Sequence, residues 1–205
     1  MATATVDPGV AKLQFQAKAA TAFLAILSIS TLFMDVATWI AGPADSGDSI
    51  VMGCVGLLLL VGFTGSLVFV GMWISRANRN LRIHGCDNLE ITPGWAVGWY
   101  FVPFANLRKP FHAMREIWNA SLFGGAANLT KSNSLLTRWW ACWIVGNIAS
   151  NSAFRLGRNA DFDTTLAIDL VASLFFAAAA YSLCEIMTAV TRAQSDRLGV
   201  LEVFA

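Results

Sequence analysis

Three observations predict an all-α integral membrane protein with four transmembrane helices, a re-entrant or interfacial segment and an amphipathic surface helix on the cytoplasmic side, forming one membrane domain over 1–205. First, 56% of the residues are hydrophobic and the mean hydropathy is +0.58, whereas an average soluble chain is about 45–50% apolar even with glycine counted. Second, apolar runs at 19–40, 50–74, 134–154 and 166–190 are each of spanning length, because roughly 20 helical residues cross a hydrocarbon core. Third, the basic residues gather on one side of those runs.

Residues 1–18 are polar and include Lys12 and Lys18 ahead of the first run. As a helix that run would measure about 33 Å, enough to cross. It is too long for the apolar core of a signal peptide, and no A-x-A site follows it, so an uncleaved first span is expected. GPADSGD at 42–48 reads as a short acidic turn. The second span carries Gly53, Gly56, Gly62, Gly65 and Gly71, and Gly62 with Ser66 makes a small-x-x-x-small step that lets another helix backbone come close.

Between 75 and 133 the spanning pattern stops and Arg76, Arg79, Arg82, Arg108, Lys109, Arg115 and Lys131 appear. If this stretch and both termini share one side, 12 of the 14 basic residues lie there, counting Arg138 at the mouth of the third span. Only Arg155 and Arg158 fall opposite. The positive-inside rule then makes that side cytoplasmic, which places both termini inside, as expected of a multi-pass inner-membrane protein.

Within this stretch, 93–118 (PGWAVGWYFVPFANLRKPFHAMREIW) is too aromatic for an ordinary loop and too short for a span. Pro103 divides it. The first half reads as a re-entrant or interfacial segment, whose broken backbone needs cover from protein or a wet cavity. Pro110 suits the first turn of the helix that follows. Phe111, Met114, Trp118 and Leu122 share one face of that helix, Lys109, His112, Arg115, Glu116 and Asn119 share the other, and Gly124-Gly125 stops it. Such a helix lies in the membrane surface, the alternative being a small soluble lid packed under the bundle. Trp95, Trp99, Pro103, Asn106, Pro110, Phe111, Met114 and Trp118 are therefore the expected docking surface.

Polar groups inside spans are costly and mark candidate sites. Asp35 in the first span, Asn147, Asn151 and Arg155 in the third, and Asp169 in the fourth fall at similar depth, which permits an Asp–Arg–Asp cluster. That cluster would neutralise buried charge, or bind a cation or relay protons. Glu185, near the inner end of the fourth span, is expected to latch onto Arg76, Arg79, Arg115 or Arg138.

Catalytic constellations are missing, so no enzyme is expected. Cys54, Cys86, Cys142 and Cys184 stand singly. His84-Gly85-Cys86 is half a metal site without a second half, so no metal is expected. His112 and Glu116 read as an i,i+4 pair, not an acid–base dyad. The Asn128-Leu129-Thr130 sequon lies on the cytoplasmic side and is discounted, and nothing resembles a nucleic-acid-binding signature. No cofactor is expected. A bound lipid or pigment would enter only through a larger complex.

The succession Arg79-Asn80, Pro93-Gly94-Trp95-Ala96-Val97-Gly98-Trp99, Val102-Pro103, Asn106-Leu107, Pro110 and Met114-Arg115-Glu116-Ile117-Trp118 resembles the core of the bacterial domain-of-unknown-function family number four-three-two-eight. The resemblance implies a multi-pass membrane architecture and no assigned activity. The expected function is that of an accessory or scaffolding subunit. Its partners would be membrane lipids and other membrane-protein subunits or further copies of itself. The alternative is a small transporter or ion/proton-conducting unit using the Asp/Arg cluster.

Overall fold

The computed structural model describes residues 8–42, 50–124, 129–157 and 160–201, with side chains to Arg197. Gly125, Asn128, Arg158 and most of the acidic turn at 42–48 lie outside them. Among the described residues there is no strand. The helices are α1 (Pro8–Ala41), α2 (Ile50–Ile83), α3 (Pro93–Gly98), α4 (Lys109–Phe123), α5 (Ser134–Leu156) and α6 (Phe162–Leu201). Two 3-10 turns, Trp99–Phe101 and Ala105–Leu107, separate α3 from α4.

Three helices, α1, α2 and α6, are long and apolar enough to cross a membrane. Only 11% of the most apolar window of α1, and of α2, is buried within the protein, so those surfaces need an apolar environment from outside it. Helix α5 forms where the third span is expected but is not among the three, because Arg138, Asn147, Asn151 and its serines dilute its apolar character.

The helices outrun the apolar runs that predict them. Helix α1 begins at Pro8, α2 continues to Ile83 and α6 to Leu201. Hydropathy marks where an apolar solvent ends, whereas a helix ends where its last carbonyls find other donors. At the end of α2, Cys86 N–H reaches Leu81 O (3.0 Å) and Gly85 N–H reaches Arg82 O (3.2 Å), with Gly85 at φ +83°. This is a Schellman closure, and buried Leu81 and Cys86 supply its hydrophobic contact. His84-Gly85-Cys86 is thus a helix stop, not half a metal site. Burial pushes the Cys86 thiol up, Asp87 adds to this and Arg197 opposes it, so the thiol stays protonated.

The one domain expected over 1–205 is built as two compact units. Unit 1 comprises Met1–Ala20, Val68–Thr137 and Cys184–Ala205; unit 2 comprises Thr21–Leu67 and Arg138–Leu183. The charge divides with them: unit 1 holds 11 of the 14 basic residues and 7 acidic ones, and unit 2 holds 3 basic and 6 acidic.

Unit 1 has a core of soluble type. Leu13, Trp73, Ile74, Met114, Ile117 and Met187 are fully buried. Buried polar groups tie its segments together. Gln194 on α6 donates to Ala77 O (3.1 Å) on α2 and to Ser121 Oγ (3.0 Å) on α4, and accepts from Asn80 Nδ2 (3.3 Å). Trp73 Nε1 donates to Thr191 Oγ1 (3.0 Å). Asn78 Nδ2 and Arg82 both donate to Ile91 O, anchoring the loop after α2. Each such group would cost about 1–3 kcal/mol if buried without its partner.

Unit 2 is organised by close helix approach. A Cβ built at Gly62 on α2 would sit 2.9 Å from Leu27 N and 3.0 Å from Leu27 Cα on α1. At Gly65 it would strike the Phe23 ring, and at Gly146 on α5 it would come within 3.0 Å of the Phe176 ring on α6. Gly53 and Gly56 meet nothing within 4 Å. The glycine-rich second span therefore packs tightly at its middle and not at its start. Ser66 is buried, its hydroxyl returned to Phe63 O (2.9 Å).

Candidate functional site

The block 93–118 lies wholly within unit 1. Thr92 caps α3 by accepting from Trp95 N–H, and Pro93 occupies the first turn. After the first 3-10 turn, Val102 is extended and Phe104 takes φ +62°, ψ −40°. For a residue with a side chain this conformation costs about 1–3 kcal/mol. It holds a tight reversal in which Asn106 N–H reaches Val102 O (3.0 Å) and Arg108 N–H reaches Ala105 O (3.1 Å).

The reversal presents an aromatic ledge. Trp95 is 52% exposed, Phe101 66%, Phe104 88% and Leu107 53%. Trp95 packs on Trp99 with centroids 4.6 Å apart, and Lys109 Nζ lies 5.5 Å from the Trp99 ring centre. Pro103 is exposed, and Asn106 and Phe111 are half-buried. Pro110, Met114 and Trp118, read from helical spacing as part of the docking face, are instead buried in unit 1. The apolar stripe of α4 is real but faces a protein core.

The opposite face of α4 is not a solvated surface either. Glu116 is buried and its carboxylate accepts from Ile91 N–H (3.2 Å). Burial raises its pKa, as does Glu90, while the Ile91 bond, Arg82 and Arg115 partly offset this. Buried Asn119 donates to Leu129 O and Lys131 O (3.2 and 2.9 Å). His112 is set between Arg108 and Arg115 rather than against Glu116. Burial and the positive charges of Arg115, Arg108 and Lys109 hold its pKa below the usual histidine value, with Glu90 opposing. Gly124, at φ +88°, ends the helix.

Of the expected latch residues, Glu185 and Arg76 are half-buried and Arg79 exposed, all in unit 1, where Arg115 also lies. Arg138 Nε, in unit 2, donates to Ser182 Oγ (3.0 Å). Gln194 and Arg197 also fasten α6 onto α4. Gln194 reaches Ser121, and Arg197 donates to Ala120 O (3.4 Å) and Leu122 O (3.0 Å). A cation at those terminal carbonyls complements the helix dipole. The one sequence signal for these contacts is the spacing of Gln194 and Arg197 on the polar extension of α6.

In unit 2 the expected Asp–Arg–Asp cluster forms only in part. Asp35 accepts from Ser173, and Asp169 is close enough to feel the charge of Asp35. Asp35 Oδ2 is buried and finds no hydrogen-bond partner among the described residues. Asn147 and Asn151 return their amides to Trp143 O and Asn147 O of their own helix (both 2.7 Å). Arg155 is exposed in the last turn of α5.

Among the described residues no group of three or more His, Cys, Asp and Glu could hold a metal ion. No curated protein and no solved structure matches the chain. One family does: its sequence model covers residues 41–195, from the end of α1 to the polar part of α6, and includes the whole 93–118 block. The chain belongs to the family described as domain of unknown function DUF4328.

Proposed function

We propose that this is a non-enzymatic inner-membrane protein that serves as an accessory or scaffolding subunit, with unit 1 on the cytoplasmic side and its aromatic ledge as the docking surface for lipids and neighbouring membrane proteins. The observation that carries the reading is the ledge: four large apolar side chains held out by a strained turn beside Arg108 and Lys109. Backbone strain at an exposed turn persists only where the surrounding structure enforces it, and it gathers at binding sites. Orientation follows from the basic excess of unit 1 under the positive-inside rule. In this reading α5 is the fourth span, since 23 residues cover about 34 Å.

Native mass measurement of the full chain in mild detergents tests the proposal. Lipid or subunit adducts are expected on the wild type and lost in Phe104→Glu; a bare wild-type monomer in every mild detergent would sink it.

A second reading, cation or proton conduction, draws on the Asp35–Asp169 pair and the unsatisfied Asp35 Oδ2. Four spans leave little room for a pathway in one copy, so it requires an oligomer. Proteoliposome flux unaltered by Asp35→Asn and Asp169→Asn would eliminate it.

A further inference from the structure

The first turns of α4 carry more positive charge than their surroundings satisfy. Arg108 Nε donates to His112 Nε2 at 3.3 Å, and Arg115 Nη2 lies 3.3 Å from His112 Nδ1. A neutral imidazole has one acceptor nitrogen and one N–H. Only one of these contacts is therefore a hydrogen bond at any moment, and the other sets two donors face to face. Arg115 Nε is buried and finds no acceptor among the described residues. Its guanidinium lies over the Phe111 ring, 5.8 Å from the centre. Arg108 and Lys109 are exposed. Two carboxylates act on the cluster: Glu90 on His112, and Glu116, already engaged by Ile91 N–H, on Arg115.

An oxyanion between the two guanidiniums would resolve these conflicts, accepting from Arg108, Arg115 and the imidazole together. Arginine forks match phosphate oxygens. We propose that Arg108, His112 and Arg115 bind the phosphate of an anionic phospholipid headgroup, with Trp95, Phe101, Phe104 and Leu107 entering the acyl boundary beside it. The inference rests on the docking reading above and names its occupant. Lipid, not a soluble phosphate, is assigned because the ledge is continuous with the basic turn: Lys109 sits over Trp99, and Leu107 directly precedes Arg108. Aromatic side chains beside basic ones are the chemistry of an anionic membrane interface.

The site is also a pH sensor. Without an anion, the neighbouring Arg115, Arg108 and Lys109 together with burial disfavour imidazolium, against Glu90. A bound phosphate favours it, because its negative charge stabilises an imidazolium that donates to it. Binding therefore tightens as pH falls through the His112 titration.

The test is lipid titration of the detergent-purified full chain, read by native mass, with phosphatidylglycerol against phosphatidylcholine. Phosphatidylglycerol is expected to bind preferentially. Its affinity should fall about fivefold in Arg108→Gln and about thirtyfold in Arg108→Gln/Arg115→Gln, at roughly one basic-residue increment each. Exposed Arg79→Gln in the same unit should leave it unchanged, and His112→Gln should abolish the tightening between pH 7.5 and 5.5. Exposed Arg108 gives a variant that tests the site without disturbing the core. Equal losses in Arg79→Gln and Arg108→Gln would mean a diffuse basic face and would overturn the site while leaving docking intact. Displacement of lipid by millimolar inorganic phosphate or glycerol phosphate would overturn the lipid assignment. A wild type that takes up no lipid and carries no subunit would overturn the docking reading beneath.

Discussion

Gly62→Ala tests the packing that holds α1 against α2. The added methyl would lie 2.9 Å from Leu27 N, 3.0 Å from its Cα and 3.1 Å from its Cβ, two of them backbone atoms that cannot rotate away. Ordinary contact begins near 3.4 Å, so the helices must part by about half an ångström. Overpacking of this kind costs about 1–3 kcal/mol. Against it stands the higher helix propensity of alanine, about 1 kcal/mol. Gly53→Ala, on the same helix with nothing within 4 Å, supplies the propensity gain alone. The difference between the variants isolates the clash at about 1–3 kcal/mol, which for a chain of 205 residues is roughly 2–4 °C per kcal/mol in melting temperature. Thermal unfolding in a mild detergent, both variants side by side, is the assay. Gly62→Ala should melt several degrees below Gly53→Ala. Equal melting temperatures would refute the close approach of Gly62 to Leu27.

Two further perturbations address unit 1. Glu116 has a raised pKa, so its ionised form is the costly one in the folded state: stability is greater while it is protonated and declines as pH rises through its folded-state pKa. Glu116→Gln keeps an acceptor for Ile91 N–H without the charge, so its melting temperature should gain on the wild type as pH climbs from 4.5; a pH-independent difference would contradict the assignment. Gln194→Ala leaves Asn80 Nδ2, Ala77 O and Ser121 Oγ without this partner. It should cost about 2–4 kcal/mol and loosen α4, read as faster amide exchange across 113–121; unchanged exchange there would show that Gln194 does not fasten α4 to α6.

Much of the architecture is legible in the sequence because it depends on composition over a window. The apolar runs at 19–40, 50–74 and 166–190 each lie within a helix long and apolar enough to cross a membrane, and 134–154 lies within α5. Pro110 and Gly124 mark the bounds of α4. The start of α1 and the ends of α2 and α6 were not legible from hydropathy, since the backbone remains hydrogen-bonded after the side chains turn polar. For α2 the local signal was present, in the Gly85 closure that resembles a metal half-site when read by residue type alone.

The 93–118 block shows where the division falls. Its aromatic content, its Pro103 break and the helical spacing of Phe111, Met114 and Trp118 are properties of the chain read alone. Which face of that spacing meets protein and which meets an outside surface is not, because segments remote in sequence decide it: Met114 and Trp118 are buried in unit 1, as are Leu13, Trp73 and Met187. Tertiary packing likewise turned Glu116 and Asn119 inward to satisfy loop backbone, brought Asp35 beside Asp169 while leaving Arg155 exposed, and left Phe101, Phe104 and Leu107 at the surface. Periodicity reports that a helix has two faces. Only the partners brought to it by the fold determine what each face touches.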